Sequence, residues 1–140
     1  MTRWQLALWV SVALGACGEE AEVGHVVATV LVDPQARPLY KSVDVYLLAG
    51  RTNAGAPLDC VGLAHGSPAT RADLVPRAHT LGPYNDTHLA GIAPESGLLL
   101  VVDAYPTTDG TGSRNGYGCK DGISIVAGQT TAVTLILGTP

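Results

Sequence analysis

Several stretches of the chain alternate apolar and polar residues with the two-residue period of a strand, and none sustains the 3.6-residue period of a helix. Val26 to Val32 is an aliphatic run rich in β-branched residues, and Asp33–Pro34–Gln35–Ala36–Arg37–Pro38 reads as a turn. From Ser42 to Leu48, Val43, Val45 and Leu47 fall on one face, with Asp44 and Tyr46 on the other. Leu98 to Tyr105, bounded by Gly97 and Pro106, is long and apolar enough to predict a strand central to a sheet. Ile123 and Ile125 mark another strand. Ala127–Gly128–Gln129 is a turn, and Thr130 to Leu137 aligns Val133, Leu135 and Leu137. The pattern predicts an all-β antiparallel sandwich over residues 24–140.

Two stretches resist this reading. Between Ala49 and Asp86, Gly and Pro recur and apolar residues scatter, so a long loop is expected, with a short helix from Ser67–Pro68 through Val75. Pro106 to Gly118 is a second irregular loop, with Asn115–Gly116 as its tight turn.

The first residues follow a different logic. Met1–Thr2–Arg3 is positively charged, and Trp4 to Ala16 is apolar apart from Gln5 and Ser11. These 13 residues fall short of the roughly 20 that span a bilayer as a helix, but suit the apolar stretch of a signal peptide. Leu14–Gly15–Ala16–Cys17 resembles the lipobox of bacterial lipoproteins: an aliphatic residue, two small ones, then cysteine. That resemblance implies diacylglyceryl transfer to the Cys17 sulfur and cleavage before it. Residues 1–16 are then a lipoprotein signal peptide, and 17–23 a lipidated, acidic tether. An ordinary secretory cleavage site is the competing reading, but Leu14 is too bulky for its small-x-small pattern; a third is Cys17 buried in a helix. Gly18, rather than Asp, after the cysteine is the pattern of outer-membrane sorting, so the expected location is the cell envelope, outer membrane over inner.

Composition narrows the function. Phe is absent and both tryptophans, Trp4 and Trp9, precede Cys17, so the exported domain has an aliphatic core with five tyrosines as its larger aromatic rings. Loss of Arg3 with the signal leaves seven of the 8 cations against 12 acids, a net charge near −5. An acidic surface without a Lys/Arg cluster repels a phosphate backbone, which argues against nucleic acid as a partner.

With Cys17 acylated, Cys60 and Cys119 remain as a pair in an oxidising compartment, and a disulfide is expected. For a loop of this length the chain-entropy model assigns roughly 4 kcal/mol. No Cys-x-x-Cys occurs, and His25, His65, His79 and His88 show no ligand spacing, so neither metal nor cofactor is expected.

The order of elements resembles the transthyretin-like, carboxypeptidase-regulatory-like sandwich domains of secreted bacterial proteins. The likeness rests on Arg37–Pro38–Leu39 leading into Val43–Asp44–Val45–Tyr46–Leu47 as a first hairpin, and on the Gly91–Ile92–Ala93–Pro94–Glu95–Ser96–Gly97 corner before Leu98–Val102. It also rests on Ala127–Gly128–Gln129–Thr130–Thr131 as a closing hairpin. Ala36 replaces the usual turn glycine, and the 49–86 stretch is longer than that pattern. The resemblance implies an accessory or interaction module without catalytic residues.

Catalytic motifs are correspondingly sparse. No Gly-x-Ser-x-Gly elbow or zinc-protease helix is present. Asp44 and Asp103 fall in predicted strands and are candidates for an acid/base pair, although both are expected to face solvent. Asp109, Thr111 and Ser113 alternate as in a calcium loop, but Arg114 stands in the place of the required glycine and no closing glutamate follows. The expected function is a lipid-anchored, non-enzymatic envelope module bound to the membrane through Cys17 and to a protein partner. The alternative is a small-ligand or glycan site around Tyr84, Tyr105 and Tyr117.

Overall fold

A computed structural model describes residues 22–84 and 87–140. The signal segment and Cys17 lie outside the described residues. Seven strands form two packed sheets: β1 (Gly24–Leu31), β2 (Ser42–Thr52), β3 (Leu74–Gly82), β4 (His88–Ile92), β5 (Glu95–Tyr105), β6 (Gly116–Ile125) and β7 (Thr130–Ile136). One sheet has the order β4-β1-β7 and the other β3-β2-β5-β6. Every ladder is antiparallel except β1–β7, which is parallel. The fold is an all-β sandwich.

Alternation explains the core between the sheets. Val26 and Ala28 of β1 and Val133 and Leu135 of β7 point inward. They meet Val43, Val45 and Leu47 of β2 and Leu98, Leu100 and Val102 of β5. The Gly91–Gly97 segment carries the chain from β4 in one sheet to β5 in the other, as the corner reading requires. The two segments expected as hairpins also cross between sheets: β1 and β2, like β6 and β7, belong to different sheets.

β5 is buried on both faces, because the four-stranded sheet carries a second core on its outer side. There Leu48, Leu99, Val101 and Tyr117 pack beneath Leu58, Leu63 and Leu74. The cover is the 53–73 stretch, which the sequence pattern left as loop. It contains helix α1 (Cys60–Leu63), capped by Asp59, whose Oδ1 accepts from the Gly62 N–H at 2.6 Å.

The helix expected from Ser67 to Val75 is reduced to a 3-10 turn, Pro68–Thr70. Pro76 disfavours helical geometry at Val75, and β3 starts at Leu74 instead. β3 carries no apolar–polar alternation in the sequence, because it is an edge strand with one buried residue, Leu74.

The tight turn expected at Asn115–Gly116 is absent. Gly116 opens β6, and the Asn115 N–H donates to the Ala104 carbonyl at 2.9 Å. Gly116 is needed for space: a Cβ there would stand 2.9 Å from both Ala104 Cβ and the Tyr40 ring.

Candidate functional site

The acid/base candidates come together as cross-strand partners. Asp44 of β2 pairs directly with Asp103 of β5, and both turn to the outer, covered face of the four-stranded sheet. The expectation of solvent-facing carboxylates is corrected here. Asp103 is fully buried, and the Asp44 side chain is 14% exposed. Two carboxylates so close repel unless each has its own partners.

Those partners are present. Asp103 Oδ1 accepts from Arg114 Nη1 at 2.8 Å and Oδ2 from the Ser67 hydroxyl at 2.6 Å. Arg114 Nη2 also donates to the His65 carbonyl at 2.5 Å, and its guanidinium lies 4.9 Å from the Tyr117 ring centroid. Asp44 accepts from the Tyr46 hydroxyl at 3.0 Å and contacts His79 Nε2 through its other oxygen. The His79 ring stacks on Tyr46 at 4.3 Å. Arg114 and Ser67 sit in stretches without strand signals, so nothing in the linear pattern pointed to them. The donors on Asp103 hold the cover to the sheet, whereas those on Asp44 come from β2 and β3 of the sheet itself.

The tyrosines do not form an exposed platform. Tyr105 and Tyr117 are 8% and 6% exposed, and only Tyr84 of the three is half-buried. Burial raises the hydroxyl pKa of Tyr105 and Tyr117, with nearby Asp103 acting in the same direction. Burial likewise pushes Tyr46 well above the usual tyrosine range, reinforced by its bond to Asp44. Among the described residues the Tyr117 hydroxyl finds no hydrogen-bond partner.

Tyr117 lines an open cleft of about 600 Å³ with Val61, His65, Ile136 and the Cys60–Cys119 pair. His65 follows Ala64 in a pair of left-handed residues, φ +60° and +51°, and its ring covers that of Tyr117 at 4.7 Å. Consecutive non-glycine residues in this conformation are costly and persist only where surrounding contacts hold them.

Cys60 and Cys119 stand at disulfide distance, with Cα atoms 5.8 Å apart. They join α1 to β6, and Asp121 accepts from the Cys60 N–H at 2.7 Å. With Asp121 the two sulfurs form a three-ligand grouping, but sulfurs bonded to each other offer no thiolate to a metal. In the calcium-like loop, Asp109 Oδ1 accepts from the Thr111 hydroxyl at 2.7 Å and the Thr111 N–H at 3.2 Å. The Thr111 hydroxyl and N–H bonds hold the Asp109 carboxyl below the usual range.

The most distinctive surface lies on the other sheet. β1, β4 and β7 contain no Asp, Glu, Lys or Arg, whereas every strand of the opposite sheet carries at least one. The outward residues form rungs across β1 and β7: Val27 beside Ala132, Thr29 beside Thr134, Leu31 beside Ile136. His88 stands opposite Val27 on β4, with its ring stacked on His25.

Among the described large apolar side chains, Val61 and Ile136 are the most exposed, at 84% and 71%. Ile136 belongs to both the sheet face and the cleft, so the two surfaces are continuous. The missing charges were visible in the sequence. That three separated segments share one face was not. Compared with protein-family models, curated proteins and solved structures, the chain matches none.

Proposed function

We propose that this chain is a lipid-anchored, non-enzymatic module of the bacterial cell envelope that works by protein contact through the β4-β1-β7 face. The observation that carries the contact reading is the outer face of three strands without Asp, Glu, Lys or Arg, where Leu31 and Ile136 are exposed side by side and Val27 is exposed beyond the Thr29–Thr134 rung. The largest exposed apolar patch on a soluble protein is often a functional contact surface. The lipobox supports the address. Acyl chains on Cys17 contribute about 0.8 kcal/mol per buried methylene, which makes anchoring firm when several are present. The occupied carboxylates of Asp44 and Asp103 support a non-enzymatic role.

Two measurements test this reading. Native protein is expected in the detergent phase on phase partitioning, and Cys17→Ser in the aqueous phase or unprocessed. Native protein in the aqueous phase with an unmodified cysteine overturns the anchor. For the surface, Val27→Glu combined with Leu31→Glu is expected to abolish chemical cross-linking in native membranes while the β-sheet circular dichroism persists. Unchanged cross-linking overturns the assignment of the face. A second reading, a small apolar ligand in the cleft beside Tyr117, is favoured by the Val61, Ala64 and Ile136 side chains that line it. Saturable binding of an apolar fluorophore, lost in Val61→Glu, would support it.

A further inference from the structure

We propose that His25 of β1 and His88 of β4 together hold a divalent transition-metal ion of the Cu2+ or Zn2+ kind. Such a site goes beyond the contact reading above and does not depend on it.

The two histidines lie far apart in sequence, so no linear spacing marks them as ligands. They meet because β1 and β4 are antiparallel neighbours. His25 projects outward, since Gly24 and Val26 on either side of it are buried. His88 projects to the same side, next to the buried Leu89. It pairs with Val27, which makes His25 its diagonal neighbour, and the ring centres stand 5.8 Å apart.

The ladder is irregular at this point. Between Gly24 and Val26 the register slips by one residue, so Ala90 and Gly91 of β4 together stand opposite His25. Gly91 adopts a φ of +71°, as one class of bulge requires, and nothing lies within 4 Å of its would-be Cβ. The strand facing His25 thus offers only small residues and leaves space on that side.

The chemistry fits a cation. His25 Nδ1 is buried and, among the described residues, finds no hydrogen-bond partner. A buried nitrogen left unpaired is unfavourable, and a bound ion is one of the few ways to satisfy it. Metal–nitrogen bonds of about 2.0–2.1 Å set the centres of two coordinating imidazoles roughly 5–6 Å apart. The pair already stands at that separation. Its rings lie 28° from parallel, so His88, which is exposed, turns about its side-chain bonds to aim a nitrogen. Imidazole selects Cu2+, Ni2+ and Zn2+ over Mg2+ and Ca2+, which take oxygen ligands. β1, β4 and β7 carry no Lys or Arg to repel the ion, and a net charge near −5 attracts it.

The test titrates full-length, tag-free protein in detergent with CuCl2, followed by calorimetry. Saturable binding of one ion per chain is expected. His25→Gln and His88→Gln are each expected to weaken it roughly a hundredfold, because the second ligand of a chelating pair acts at high local concentration. His79→Gln is expected to leave it unchanged. Electron paramagnetic resonance of the wild-type Cu2+ complex is expected to show two imidazole nitrogens, a readout that needs no variant. A spectrum with one such nitrogen or none overturns the site. So does binding that survives either substitution, binding weakened by His79→Gln, or no saturable binding. Circular dichroism of each variant identifies a folding failure, in which case the wild-type spectrum decides.

Discussion

Arg114 reaches from the 106–115 loop to place Nη1 2.8 Å from Oδ1 of Asp103, a carboxylate that is fully buried. The pair ties that loop to the middle of the sheet, and Ser67 adds the cover segment to the same carboxylate. Deleting one member leaves a buried charge uncompensated. Arg114→Met is therefore expected to cost about 3–5 kcal/mol, measured by urea denaturation. Asp103→Leu combined with Arg114→Met is expected to recover much of that loss, since neither charge then needs a partner.

Cys60 and Cys119 fasten α1 and its flanking cover to β6. Non-reducing peptide mapping is expected to show one 60–119 linkage and no free thiol. Reduction is expected to lower stability by roughly 4 kcal/mol. Hydrogen exchange should rise first in residues 53–73, where the cover lies on Leu99 and Val101, and later in β1 and β7. Uniform acceleration across all strands would show that the link supports the whole sandwich rather than the cover.

Tyr46, Tyr105 and Tyr117 hold their protons more tightly in the folded chain than in the unfolded one, chiefly through burial. A pKa raised on folding contributes stability that is complete below the unfolded value, about 10, and is lost as pH rises through the folded value. Stability is expected to hold up to about pH 10 and fall above it. Absorbance at the tyrosinate band should show three of the five tyrosines ionising late, in step with unfolding. Complete tyrosinate formation with the circular dichroism unchanged would contradict this.

Gly50 of β2 lies against the backbone of Gly97, so a Cβ at position 50 would land on the Gly97 carbonyl oxygen. Backbone cannot yield as a flexible side chain does. Gly50→Ala is expected to cost about 1–3 kcal/mol or more, whereas Ala at the open Gly138, which has nothing near its Cβ position, should cost much less. Thermal denaturation of the two variants compares them directly.

Strands with one buried face were legible in the linear pattern. The alternation of Val43, Val45 and Leu47 assigned an inner face to β2. The unbroken run from Leu98 to Tyr105 marked a strand central to its sheet, which β5 is; its burial on both faces came from the cover. β3 was not legible, because an edge strand that buries little has no periodic signal. Cys60 and Cys119, the pair that remains once Cys17 is acylated, predicted a link, while what it fastens depended on where the cover packs.

Local propensity and hydrophobic period thus determined the sandwich class and most of its strands. Tertiary structure alone decided three things: that Asp44 and Asp103 meet under a cover, that Arg114 and Ser67 neutralise the second of them, and that three uncharged segments form one face. The reason is common to all three. Each depends on contacts between residues 11 to several dozen positions apart, set by how the sheets assemble, and periodicity within a short window carries no information about such pairings.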